Sequence, residues 1–124
     1  MITTLINIGV ILTAILHIGF FVLETFLWQK PLGLKIFKLQ REFAQRSAAL
    51  AANQGLYNAF LSAGLLWSVC AGGIEGLHLK FFFLSCVVLA GIYGALTVSF
   101  RILIIQGLPA GITLVLMIWQ LFAG

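Results

Sequence analysis

From Leu5 to Trp28 the chain reads LINIGVILTAILHIGFFVLETFLW. An apolar run of this length matches the hydrocarbon thickness of a bilayer, which a helix crosses in about 20 residues. Comparable runs lie at about 48–71, 80–100 and 103–122, and together they use nearly the whole chain. Of its 124 residues 62% are hydrophobic and only 8% charged, with a mean hydropathy of +1.16. Soluble domains carry about 25% charged residues, so this composition cannot cover a water-facing surface. The expectation is an all-α polytopic membrane protein: one membrane domain, 1–124, folded as a four-transmembrane-helix bundle. Its helices are placed at about 4–28, 41–71, 80–100 and 103–122, with a basic linker at 29–47.

A cleaved signal peptide is the rival reading of the first run. No Lys or Arg precedes it, and it is long for a signal core. Charge placement sets the orientation. The linker holds Lys30, Lys35, Lys38, Arg41 and Arg46 against the single acid Glu42. Basic loops stay on the cytoplasmic side, so the reading is multi-pass in the bacterial inner membrane with both termini outside. Arg101 falls on the inner side and Glu75, His78 and Lys80 on the outer side, which agrees. Anionic lipid headgroups suit the basic linker, and no nucleic-acid motif accompanies it. Leu32, Leu34, Ile36, Phe37, Leu39 and Phe43 among its charges suit a segment lying on the headgroups. Cys70 and Cys86 lack metal-ligand spacing and read as packing residues, with a disulfide open only if the helices bring them together; no metal or other cofactor is expected.

The second helix starts before its apolar run, since Arg41 with Gln45 and Glu42 with Arg46 are spaced by four. Small residues recur at helix-contact spacing: Gly55, Ala59 and Ala63; Gly91 and Ala95; Gly107 and Gly111 around Pro109. Packing within the chain is the simpler reading; dimerisation through Gly107-x-x-x-Gly111 is the alternative.

Ionisable groups in hydrocarbon are rare and face a protein interior or a water-filled cavity. His17 and Glu24, seven apart, share one stripe of the first helix and stand about 10 Å apart along its axis. Antiparallel helices then bring Asn53, Gln54, Tyr57 and Asn58, Tyr93 and Thr97, and Gln106 to a similar depth. Thr113 and Gln120 continue the seam of Gln106. His17 can bond one turn back to Thr13. The candidate ligand-binding set is His17, Glu24, Asn53, Gln54, Tyr57, Asn58, Tyr93 and Gln106. Interhelical glue is the bland alternative for the amides and tyrosines, at about 0.6 kcal/mol per hydrogen bond. Arg101 reads as an interfacial charge, and His78 as a solvated loop residue.

Several segments together resemble one known family. They are His17-Ile-Gly-Phe-Phe-Val-Leu-Glu24-Thr-Phe-Leu-Trp28, then Pro31, then Leu50-Ala-Ala-Asn53-Gln54-Gly55-Leu56-Tyr57-Asn58, Ala90-Gly91-Ile92-Tyr93-Gly94 and Gln106-Gly107-Leu108-Pro109-Ala110. The family is a set of small bacterial four-helix membrane proteins known as domain of unknown function 1304. The resemblance implies four spans in the inner membrane and no particular chemistry. Three functions remain open. The first is binding or transport of a small molecule or a proton, and a transport pathway in so few helices would call for a homodimer. The second is a membrane enzyme using His17 and Glu24 as acid and base on a lipid or isoprenoid, with Tyr57 or Tyr93 orienting it; these are the only catalytic candidates. The third is an accessory subunit docking through its basic linker. The sequence weighs against an enzyme, because no nucleophile–base pair or metal motif is visible.

Overall fold

The computed structural model describes all 124 residues apart from the side chain of Ile102. Six α-helices follow in order: α1 (Ile2–Thr25), α2 (Pro31–Ile36), α3 (Arg41–Ala71), α4 (Gly73–Thr97), α5 (Phe100–Ile102) and α6 (Leu108–Ala123). A π-helical segment, Leu103–Gly107, joins α5 to α6. No strand occurs among the described residues.

The long helices pack antiparallel in a ring. α1 lies between α3 and α6, and α4 closes the ring from the other side. Side-chain pairs fix the register. Ser62 Oγ donates to the Ala14 carbonyl across α1 and α3, and Gln120 Nε2 donates to Thr3 Oγ1 across α6 and α1. Ile6, Val10, Ala14, Leu65, Leu84, Val87, Ala110 and Met117 form the buried apolar core. The outer surface is as apolar as the interior: Leu96 is 82% exposed and Phe122 is 89% exposed. Contiguous exposed apolar surface on this scale is suited to lipid rather than water.

Three helical stretches are long and apolar enough to cross a membrane: Ile2–Thr25, Gly73–Thr97 and Leu103–Ala123. α3 is the longest helix at 31 residues but is not among them. Arg41, Glu42, Arg46, Asn53, Gln54 and Asn58 lower its hydropathy.

Two segments differ from the sequence expectation. α4 begins at Gly73, seven residues before Lys80. Gly72 and Gly73 adopt φ of 61° and 56°, so the chain reverses on two residues and the helix restarts at once. Lys80 therefore joins the inward stripe Gly76, Lys80, Leu84, Val87, Gly91 instead of an outer loop. It is only 9% exposed, and its Nζ donates to the Ser68 carbonyl at 3.4 Å. The passage from α4 into the last helix is likewise irregular. α4 ends at Thr97 with Val98 as its C-cap, and Ser99 Oγ caps the short turn α5 by accepting from the Arg101 amide at 3.2 Å. The π segment then lies just ahead of Pro109. Proline has no N–H to donate and crowds the carbonyl four residues back, and a wider turn relieves both.

The linker folds back on the chain just after α1, with Gly33 packed against the Leu27 and Trp28 carbonyls. Pro31 starts α2, where its missing N–H costs nothing. Trp28 stacks obliquely on Phe37, with ring centroids 4.9 Å apart. Its indole Nε1 donates to Ser47 Oγ at 3.0 Å, tying the end of α1 to the start of α3.

Candidate functional site

Glu24 sits in the last turn of α1, against Gly55 of α3. Gly55 permits the approach: a Cβ there would collide with Thr25 Oγ1 and lie 3.2 Å from Glu24 Cβ. One turn further along α3, Asn58 is 5% exposed, and its Nδ2 donates to Glu24 Oε1 at 2.6 Å. Thr25 Oγ1 donates to the Ala52 carbonyl at 3.4 Å on the same seam.

Glu24 also lines a cavity of about 250 Å³ shared with Thr25, Phe26, Trp28, Gln29, Lys30 and Ala48. Asn58 holds Oε1, which leaves Oε2 for whatever enters. The cavity lies at the corner where α1 ends and the linker turns away. That volume equals the liquid volume of about eight waters, enough for a small solute and below the usual size of drug pockets.

His17 lies two turns deeper and is fully buried. Its Nδ1–H donates to the Thr13 carbonyl at 2.8 Å, and its Nε2 accepts from Gln106 Nε2 at 3.1 Å. The ring also meets Phe20 edge-on, with centroids 5.5 Å apart. Both nitrogens are thus engaged within the bundle, and the partners fix the tautomer. Gln106 comes from the π segment. Gly91 faces Gly107 there, so closely that a Cβ on Gly91 would lie 2.9 Å from the Gly107 Cα.

The eight candidate residues therefore fall into three groups. Glu24 and Asn58 form one pair, and His17 and Gln106 a second. Asn53, Gln54, Tyr57 and Tyr93 stand on the exterior; Tyr57 is 53% and Tyr93 70% exposed. The four exterior residues share depth with the pairs but not direction. Thr97 and Arg101 are exposed too, and Thr97 Oγ1 donates to the Tyr93 carbonyl one turn back. The inward stripe of α3 runs Ala44, Ala51, Gly55, Asn58, Ser62, Leu65. Its threefold, fourfold and sevenfold spacing of small residues is legible in the sequence and selects Asn58 over its polar neighbours.

Sequence reasoning missed Thr25, Lys30 and Ala48 as cavity walls. It also missed two polar groups at the opposite end of the bundle, buried Lys80 and Asn7. Among the described residues Asn7 Oδ1 is buried without a hydrogen-bond partner.

A profile of the family described as "Protein of unknown function (DUF1304)" matches residues 11–118. The chain is 29% identical over 103 residues to the uncharacterized protein YpaA of Lactococcus lactis subsp. lactis (strain IL1403), covering 79% of this chain and 86% of that protein. No solved structure matches it. The chain belongs to the DUF1304 family.

Proposed function

We propose that this protein is a four-span inner-membrane protein that binds a small polar solute at the Glu24 cavity, entered from the cytoplasmic side. The carrying observation is a half-buried carboxyl group at the end of an apolar helix, held by Asn58 at 2.6 Å and lining open space of about 250 Å³. Glue alone would not need that space.

α3 supplies the fourth span in this reading. At 31 residues it extends about 46 Å, against about 30 Å of hydrocarbon, so its charged first turns stand clear of the membrane. The basic linker then lies on the cytoplasmic face, and both termini lie outside. Saturation of both His17 nitrogens speaks against the acid–base enzyme and for a structural role of that ring.

Cysteine accessibility tests the cavity. Ala48 lines it, and Cys70 and Cys86 are free thiols that can first be replaced. In that background Ala48→Cys is expected to react with membrane-impermeant methanethiosulfonates in inside-out vesicles and not in right-side-out ones. The cationic trimethylammonium-ethyl reagent is expected to react faster than the anionic sulfonatoethyl reagent, and Glu24→Gln to remove that preference. An unreactive Cys at 48 from either side overturns the reading.

A further inference from the structure

We infer that the Glu24 cavity recognises a zwitterion: a primary amine bearing an anionic group a few bonds away, as in a phosphoethanolamine headgroup. The inference rests on the cavity reading above and adds the ligand's chemistry.

Three features at the inner end favour an ammonium group. Glu24 contributes a carboxyl group whose Oε1 is occupied by Asn58, leaving Oε2 as the acceptor. α1 ends here at Thr25, and the carbonyls of a last helical turn carry partial negative charge that favours a cation. Phe26 and Trp28 line the same space, and aromatic rings attract ammonium groups.

A bare amine is not the best fit, because Lys30 lines the cavity too. Lys30 is exposed and four-carbon-long, so its ammonium can cover the mouth. Beside a bound monocation it would repel; beside an anionic group it attracts. Glu24 is half-buried and Lys30 exposed on the same lining, so the two carry opposite polarity, and a ligand of opposite dipole satisfies both. Gln29 adds an amide that can donate or accept between them. The volume is enough for a headgroup-sized molecule.

The chemistry has two sources, a free solute or a membrane phospholipid, and one experiment separates them. Labelling of Ala48→Cys in the full chain is timed in detergent with added ethanolamine, O-phosphoethanolamine or inorganic phosphate. O-phosphoethanolamine is expected to protect at least tenfold more strongly than ethanolamine, and phosphate not at all. Lys30→Gln is expected to weaken protection by O-phosphoethanolamine and to strengthen protection by ethanolamine until the two are level; Glu24→Gln is expected to abolish protection by both. The labelling is then repeated in bilayers of phosphatidylglycerol with and without phosphatidylethanolamine. Protection by the soluble compound assigns a free solute, and protection only in the phosphatidylethanolamine bilayer assigns the lipid; either supports zwitterion recognition. Equal protection by ethanolamine and O-phosphoethanolamine overturns it. Normal labelling with no protection in any arm also overturns it while leaving the open cavity standing; no labelling at all overturns the cavity itself.

Discussion

Asn58 and Glu24 depend on each other in a way that stability measurements can read. Asn58→Leu leaves a half-buried carboxyl oxygen without its donor, a loss of about 1–3 kcal/mol. The unfolding midpoint in detergent is expected to fall for Asn58→Leu, and the further loss on adding Glu24→Gln to be smaller than Glu24→Gln causes alone. Additive losses would mean the pair is not coupled. A parallel cycle of His17→Ala and Gln106→Leu is expected to show coupling of the same sign, since each single change strands the other's polar group at about 1–3 kcal/mol. His17 and Glu24 were legible as a pair of inward residues because ionisable groups in an apolar run have few other options. Their partners were less so. Depth follows from counting at a fixed rise per residue, but direction needs the rotational phase of each helix. For α3 that phase is carried by small residues such as Ala51 and Gly55 rather than by Asn53, Gln54 and Tyr57. A polar residue near a span's end can reach the headgroups, which lets it face outward at low cost.

At the level of elements, close backbone approach at glycine is what positions both polar pairs. Gly55→Leu is expected to push α1 from α3, weakening the Glu24–Asn58 bond; Ala48→Cys labelling should then lose its preference for cationic reagents even if the protein stays folded. Retained preference would show that the crossing tolerates the larger side chain. Pro109→Ala restores an N–H and removes the ring that crowds the preceding turn. The π segment is expected to relax toward α-helix, turning Gln106 away from His17 and reducing the coupling measured in their cycle. Unchanged coupling would mean that other contacts hold the wide turn. Proline and glycine mark such irregularities in a sequence, but their consequence is set by neighbours. Gly72-Gly73 reads as a loop, yet φ near +60° at both residues makes it a two-residue reversal that draws Lys80 into the interior. Nothing local to Lys80 announces that it is buried. The inward phase of α4 does, through Leu84, Val87 and Gly91.

For the whole molecule, an even number of spans puts both termini on one side, and an odd number separates them. Reporter fusions at Met1 and Gly124 are expected to be exported together, with a fusion at Lys38 retained in the cytoplasm. Termini on opposite sides would exclude α3 as a span. The membrane character of the chain was readable from composition alone, because so few charges cannot solvate a surface. The count was not, since α3 combines a long helix with polar residues that depress its hydropathy below that of the other three. One further property comes from the tie between Trp28 and Ser47. The protein carries three tryptophans, of which Trp67 is 54% and Trp119 65% exposed on the outer surface. With those two changed to Phe, the remaining indole lines the cavity and shares a hydrogen bond with the opposite helix. Its emission wavelength would then register hydration at that corner, making the molecule its own optical gauge of occupancy.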